Sequence, residues 1–299
     1  MKIIITGATG FVGKNLSDYL TSQADDVIAL SLRDKAYQLN SDADAIIHLA
    51  GKAHDTKNTS KEYDYYQINT ELTKVLFDKF LQSDIKDFIF FSSVKAAADT
   101  VEGVLTEDTE PNPQTAYGKS KLQAEEYLLS KVLPAGKRLI IIRPCMIHGK
   151  GNKGNLNLLY KVVKLGIPWI LASYDNQRSF ITIDNLNFII YSILHDPKVA
   201  SGVYNIADDV AISTNELISI IAKAGDKKPK LIRVPKIVIQ KVANIGDEFN
   251  LPLNSERLQK LTESYVVSNA KIKQALNIDS LPVSAEQGLL QTIKSFQTD

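Results

Sequence analysis

The chain has 299 residues, 35 basic and 34 acidic for a net charge of +1, and one cysteine. That even balance leaves no whole-chain electrostatic footprint for nucleic acid or an anionic membrane, so neither is expected as a partner. The lone cysteine excludes an intrachain disulfide and fits a reducing, cytoplasmic setting, and no apolar run approaches the ~18 residues of a membrane span.

Lys2-Ile3-Ile4-Ile5 reads as a buried parallel strand, and Lys14 to Leu20, with Leu16 and Leu20 on one face, reads as a helix. Between them stands Thr6-Gly7-Ala8-Thr9-Gly10-Phe11-Val12-Gly13. Strand, glycine loop and helix set backbone N–H groups and a helix N-terminus against a diphosphate. Val27 to Leu30 predicts the second strand and Ala45 to Gly51 the next, with too few residues between them for a full helix and strand. Glu62 to Leu81 carries one long helical pattern, with Tyr65, Ile68, Leu72, Val75, Leu76 and Phe80 on one side. Phe88 to Phe91 is a buried strand running into Ser92-Ser93, Ala116 to about Leu129 a helix, and Leu139 to Ile142 a strand ending at Arg143-Pro144. Repeated βα units mean an α/β protein with a doubly wound parallel sheet.

From Gly149 the texture changes. A glycine-rich loop precedes a helix to Leu165 and a short strand near Trp169; Val203 to Ala207 reads as a strand returning to the sheet, and Thr214 to Ala224 as a helix. The expected division is a dinucleotide-binding domain over 1–148, with a return segment near 184–207. A smaller, interleaved C-terminal substrate-binding part takes 149–183 and 208–299.

Tyr117 and Lys121 lie one helical turn apart on one face, about 6 Å along the axis. A tyrosine with its ordinary pKa near 10 is a poor acid or base at neutral pH, and a neighbouring ammonium would favour the phenolate. Ser93 follows the carboxyl end of a strand, where open α/β sheets bind ligands. A Tyr-x-x-x-Lys pair alone is commonly an exposed helical pair. Here it follows a glycine loop and a strand-ending Ser-Ser in order.

The set Gly7/Gly10/Gly13, His48-Leu49-Ala50-Gly51, Asn69, Ser92-Ser93, Tyr117/Lys121, Arg143-Pro144 and Arg178 to Asp184 resembles the extended short-chain dehydrogenase/reductases, the NAD-dependent epimerase/dehydratase family. The resemblance implies a Rossmann-like fold, an NAD(P) cofactor, a nucleotide-sugar substrate and a homodimer. It implies that Ser93 orients the reacting hydroxyl or ketone, that Tyr117 is the acid/base, and that Lys121 binds the nicotinamide ribose. For the cofactor it implies contacts from Gly7, Thr9, Gly10, Phe11, Val12, Gly13, Leu49, Ala50, Gly51, Asn69 and Ser92; for the substrate, from Lys52, Ser93, Lys95, Asn155 and Arg178. Arg178 suits a diphosphate because its planar fork pairs with phosphate through two parallel bonds; a surface salt bridge is its plainer reading.

Departures from the family pattern narrow the expectation. The second strand ends Leu30-Ser31-Leu32-Arg33, where an NAD-specific member carries an acid for the ribose 2′-hydroxyl. Ser31 and Arg33 would welcome a 2′-phosphate, so NADP(H) is the preferred cofactor and NAD(H) the alternative, with Asp34 placed to undercut Arg33. Val94-Lys95 follow Ser93, where sugar dehydratases of the family carry an Asp-Glu pair, so water elimination is not expected. The run Ser92 to Lys95, the Gly151–Leu156 loop and Asn176 to Ser179 resemble members acting on UDP-N-acetylhexosamines in surface polysaccharide synthesis. The expected activity is reduction of the C4 ketone of a UDP-4-keto-6-deoxy-N-acetylhexosamine. A 4-epimerase acting on UDP-glucose or UDP-N-acetylglucosamine with tightly bound NAD is the alternative. A non-catalytic NADP(H)-binding regulator is a third reading, disfavoured by the presence of both Tyr117 and Lys121. Cys145, His48, His148 and Trp169 are read as packing residues, and His54 as either facing the sugar or lying in a solvated loop; no metal site is expected.

Overall fold

The computed structural model describes every residue except 34–36, 54–60, 153–154, 250–252 and 298–299. The opening unit is β1 (Lys2–Thr6), α1 (Phe11–Ser22) and β2 (Asp26–Leu30), followed by β3 (Ala45–His48). Next come α2 (Glu62–Tyr65), α3 (Leu72–Gln82), β4 (Asp87–Phe91), the short β5 (Val104–Leu105), α4 (Ala116–Leu129), β6 (Arg138–Pro144) and β7 (Met146–His148). The remainder is α5 (Asn155–Lys164), β8 (Phe180–Thr182), α6 (Ile183–His195), β9 (Gly202–Ile206), α7 (Thr214–Ala224), α8 (Lys236–Phe249), α9 (Ser255–Thr262), β10 (Val266–Val267), α10 (Ala270–Leu276) and α11 (Ala285–Ser295).

Six parallel strands form the central sheet in the order β2-β1-β3-β4-β6-β9. The β-branched runs suit a sheet covered on both faces, because neighbouring side chains leave in opposite directions and both must be buried. Ile3, Ile5, Ile89, Ile140 and Ile142 pack with Leu16 and Leu20 of α1 and Leu186, Ile189 and Ile193 of α6. Ile4, Ile46, Phe88, Phe90 and Ile141 pack on the opposite face with Leu76, Phe77 and Phe80 of α3 and Ala124 and Leu128 of α4. Each fully buried large side chain contributes on the order of 1.5–3 kcal/mol.

Strand order reverses beside β1: β2 lies on one side of it and β3 on the other. Loops at the carboxyl ends of neighbouring strands diverge at such a point and leave a crevice. The short segment between β2 and β3 carries no helix among its described residues, so the chain returns across β1 directly.

The single helix expected over 62–81 is broken. Residues Tyr66–Glu71 form a π-helical turn between α2 and α3. Its widened turn directs Thr70 Oγ1 to the Ser120 carbonyl at 2.8 Å and Asn69 Nδ2 to Ser120 Oγ at 3.0 Å, docking this helix on α4. The strand expected near Trp169 is reduced to isolated bridges, Trp169 with Leu231 and Leu171 with Arg233.

Two further cores lie beyond the sheet. Leu156, Leu217, Ile221, Leu289 and Ile293 join α5, α7 and α11. Trp169, Leu171, Ile218, Ile239, Ala243 and Leu258 join the 169–172 segment to α7, α8 and α9, so Trp169 is a core anchor, with its indole N–H donated to Asn215 Oδ1 at 3.1 Å. Among the described residues no helix is long and apolar enough to cross a membrane, and no cluster of His, Cys, Asp and Glu could hold a metal ion.

Candidate active site

A cleft of about 600 Å³ opens at the carboxyl ends of β1, β3, β4 and β6, where the strand order reverses. Its first wall is the glycine loop. Gly7 sits at φ +71°, and a Cβ there would come within 2.8 Å of the Ala50 amide nitrogen, so both the left-handed backbone and the close approach of the next strand's loop require glycine. Gly13, at the start of α1, packs against the Gly7 carbonyl with no room for a side chain. Gly10, the N-cap of α1, offers no side-chain acceptor, and the first turn of the helix carries no acid. The helix thus turns free N–H donors and the positive end of its dipole outward, the features an anion requires. Thr6 fixes the loop's root: its Oγ1 accepts from Ala50 N at 3.1 Å and meets His48 Nδ1 at 2.7 Å. His48 is fully buried, its ring completed by Thr73 Oγ1 at 2.9 Å, and burial lowers its pKa to about 3, so it is a neutral core histidine.

Asn69, fully buried, holds the next wall. Its Oδ1 accepts from Lys52 N at 2.7 Å and its Nδ2 donates to the Lys52 carbonyl at 3.1 Å, which pins the Gly51-Lys52 loop from behind. A Cβ on Gly51 would lie 3.2 Å from Lys121 Nζ, so the loop and the lysine face each other across the cleft floor. Lys52 lines the cleft while its Nζ pairs with Asp64 at 2.9 Å.

The opposite wall carries the candidate chemistry. Thr115 caps α4 by accepting from Gly118 N at 3.2 Å, which starts the helix so that Tyr117 and Lys121 both line the cleft. Ser92 and Ser93 reach it from the end of β4, and the Tyr117 side chain is hydrogen-bonded to that of Ser93. Burial raises the Tyr117 phenol above its ordinary pKa of 10, the Ser93 bond pulls it down, and Tyr65, edge-on at 6.1 Å, pushes it up slightly. Lys121 is not among the groups that shift it. Its ammonium donates instead to the Phe91 carbonyl at 2.8 Å, and burial lowers it to about 8, with Glu125 opposing the shift.

Beneath Lys121 lies a buried ion pair that the sequence reading did not single out. Glu125, one turn on along α4, receives Arg143 Nε and the Ser92 hydroxyl. Its sequence signal is an acid four residues after Lys121 together with an arginine closing a buried strand. Pro144, Cys145, Met146, Ile147, Asn152 and Leu156 complete the cleft, positions that only the fold brings there. Burial holds the Cys145 thiol well above its ordinary pKa, so it remains protonated.

Of the residues expected to bind cofactor, Gly7, Gly10, Phe11, Val12, Gly13, Leu49, Gly51, Ser92, Tyr117 and Lys121 line this cleft. Thr9 is exposed on the glycine loop, and Ala50 is held in its wall by Thr6. Ser31 and Arg33 are exposed just past β2, whose Leu30 pairs with Thr6, so they flank the glycine loop without lining the cleft. Asp34 and His54 lie outside the described residues. Asn155 opens α5 beside the cleft-lining Asn152 and Leu156. Lys95 and Arg178 are not brought into the cleft. Lys95 Nζ donates to the Asp99 carbonyl at 2.7 Å and lies 4.3 Å from the Tyr265 ring centre, while the Arg178 guanidinium donates to the Lys260 carbonyl. Burial lowers the pKa of both; at Lys95 the Asp99 and Glu263 carboxylates oppose the shift, while Arg178 and Lys260 add to it. His148 is buried against Thr292 at 2.9 Å and lies away from the cleft wall.

Residues 3–207 match the model of the NAD dependent epimerase/dehydratase family. The UDP-glucose 4-epimerase of Vibrio cholerae is 31% identical over 98% of this chain and 95% of its own. The GDP-6-deoxy-D-mannose reductase of Pseudomonas aeruginosa is 24% identical over 78% of this chain and 83% of its own. Among solved structures, the UDP-N-acetylglucosamine 4-epimerase of Bacillus cereus superposes with a TM-score of 0.77 at 21% identity, covering 100% of both chains. Solved structures of this fold hold NAD in some cases and NADPH in others.

Proposed function

We infer the reaction from one premise: this chain belongs to the NAD dependent epimerase/dehydratase family and is an enzyme acting on nucleotide sugars. Within that family we propose an NADPH-dependent reductase of the C4 ketone of a UDP-4-keto-6-deoxy-N-acetylhexosamine. The observation that carries the choice is the end of β2, where exposed Ser31 and Arg33 flank the glycine loop and serine, not an acid, stands directly after the strand. A carboxylate would repel a 2′-phosphate, whereas a hydroxyl and a guanidinium attract it. A cofactor taken up as NADPH and released as NADP⁺ suits net reduction.

The residues present fit a dinucleotide. The Gly7–Gly13 cradle admits backbone to within reach of a diphosphate, and α1 presents its uncapped N-terminus to it. A reduced nicotinamide held there would supply the hydride that the ketone carbon needs. Ser93 orients the carbonyl by hydrogen bonding, and Tyr117, kept in its protonated form by burial, gives the alkoxide oxygen its proton. Lys121, held at the Phe91 carbonyl beside Gly51, is placed to bind ribose hydroxyls and to return a proton to Tyr117 through them. Dehydration is not part of this reading, because Val94 and Lys95 supply no carboxyl next to Ser93.

The remaining assignments belong to the same reading. The sheet domain over 1–148 with its return near 184–207 holds the cofactor, and 149–183 with 208–299 covers the sugar. Asn155, at the start of α5 beside the cleft, belongs to that covering part, whereas Lys95 and Arg178, turned to the Asp99 and Lys260 carbonyls, would have to swing away from them to reach the sugar diphosphate. The enzyme works in the cytoplasm as a homodimer through the 62–82 helix and α4, where Tyr63, Val75 and Leu129 are exposed.

Similarity to the Vibrio cholerae epimerase over nearly the whole chain favours a second reading, a 4-epimerase that retains its cofactor. Denaturing release of cofactor from fresh protein, with NADPH and NADH titrations, separates the two. Empty protein that binds NADPH more tightly supports the reductase; stoichiometric, non-exchanging NAD rules it out in favour of the epimerase.

A further inference from the structure

Outside the family-matched region, residues 227–241 read Lys-Lys-Pro-Lys-Leu-Ile-Arg-Val-Pro-Lys-Ile-Val-Ile-Gln-Lys, six cations with no acid, in a chain of net charge +1. All six are exposed, and among the described residues none takes part in a salt bridge. Lys227 and Lys230 reach the carbonyls of Lys164 and Gly166 at the end of α5, and Lys236 lies over the Tyr174 ring. Among the described residues, Lys228, Arg233 and Lys241 make no such contact.

The same stretch starts α8, which buries one stripe and exposes another. Ile239, Ala243 and Gly246 face the core. Beside them Val238, Val242, Ile245 and Phe249 recur at helical spacing with 48%, 43%, 50% and 69% of their surface exposed. On the helix Asp247 falls opposite this stripe, while Glu248 flanks it one face over, two turns on from Lys241. Pairing of Trp169 with Leu231 and of Leu171 with Arg233 brings the exposed Leu231 and Ile232 next to exposed Ile167 and Ile170. A hollow of about 370 Å³ beside them has Val163, Ile167 and Ile218 in its wall and Lys227, Lys228 and Lys230 at its rim.

We propose that this face is a peripheral docking surface for an anionic phospholipid bilayer. Apolar side chains standing among unpaired cations are the makeup of a helix lying at a membrane interface, its hydrocarbon entering the acyl boundary and its lysines meeting lipid phosphates. Charge complementarity selects this occupant over a second copy of the chain, because a two-fold interface sets the same patch against itself and would press the cations together. The whole-chain balance of 35 basic and 34 acidic residues concealed this local run of cations. None of its residues lines the cleft that holds Tyr117 and Lys121, and the proposal does not depend on which sugar is reduced.

Flotation of the full chain with vesicles of mixed phosphatidylglycerol and phosphatidylcholine, against phosphatidylcholine alone, tests the proposal. The chain is expected to float with the anionic vesicles, to stay behind with neutral ones and to be released by salt. Changing Lys228, Arg233 and Lys241 to Glu lowers partitioning at least about 100-fold, and I245S with F249S lowers it independently, both with unchanged melting temperature and NADPH affinity. Failure of the wild-type chain to float with anionic vesicles overturns the proposal, as does flotation of both variants like wild type. A solution dimer that I245S dissociates assigns the face to a second copy and overturns it too.

Discussion

Arg143 grips Glu125 from the end of β6, its Nε 3.0 and 3.1 Å from the two carboxylate oxygens, in a pair 4% and 1% exposed. With the Ser92 hydroxyl donated to the same carboxylate, the pair ties α4, and with it Tyr117 and Lys121, to the ends of β4 and β6. Removing one partner strands the other charge in the interior, which costs about 3–5 kcal/mol. Glu125→Ala is therefore expected to lower the melting temperature by roughly 10 °C. Replacing Glu125 and Arg143 together by Leu and Met costs less than the single change. Thermal denaturation of the three variants checks this; a single variant as stable as wild type would contradict it.

Lys121 makes a second, pH-dependent contribution. Its folded pKa, lowered by burial to about 8, lies below the ordinary 10.5, so between those values the unfolded chain holds more protons than the folded one. Stability from this group therefore rises with pH across that window, the reverse of a lysine that gains a carboxylate partner. Wild type minus Lys121→Met, followed by denaturant unfolding between pH 8 and 10.5, is expected to show this rise. A flat or falling difference would show that the ammonium is better solvated than its position implies.

Tyr117→Phe removes the proposed proton donor and leaves its shape. Turnover is expected to fall at least about 100-fold with NADPH affinity nearly unchanged. Because burial raises its pKa, the difference in tyrosinate absorbance between wild type and variant should develop only above pH 10 in the cofactor-free protein. Full turnover in the variant would remove Tyr117 from the mechanism.

Glycines, Ser92-Ser93 and the Tyr117/Lys121 pair were legible in the sequence because each depends on local backbone geometry. The parallel strands were legible because two-sided burial leaves unbroken apolar runs. Asn69 was found through resemblance, but the π-helical turn that aims it was not, since Tyr65, Ile68 and Leu72 keep an α-helical spacing across the break. The Glu125–Arg143 pair joins residues 18 apart through a helix and a strand; the acid after Lys121 and the strand-closing arginine stand in the sequence, but only the fold shows that they meet. Lys95 and Arg178 resemble family positions, yet their side chains turn to the carbonyls of Asp99 and Lys260. Motif matching reports a residue's type and order; its direction is set by tertiary packing.

Ser31→Asp combined with Arg33→Ala reverses the charge that the end of β2 offers a 2′-phosphate. A charge-assisted bond is worth about 1.5–3 kcal/mol, so NADPH affinity is expected to drop about 10- to 100-fold relative to NADH. Fluorescence titration with both cofactors reads the ratio directly. An unchanged ratio would place cofactor selection elsewhere in the cleft.

The proposed reduction is tested most directly by tracing the hydride. NADPH deuterated at the transferable position of its nicotinamide is supplied with the UDP-4-keto-6-deoxy-N-acetylhexosamine, and the product is read by mass spectrometry and NMR. The account predicts one NADPH consumed per product and deuterium at the sugar C4. Inversion at C4 of UDP-N-acetylglucosamine or UDP-glucose with no added cofactor, together with no deuterium transfer to the keto sugar, would contradict it.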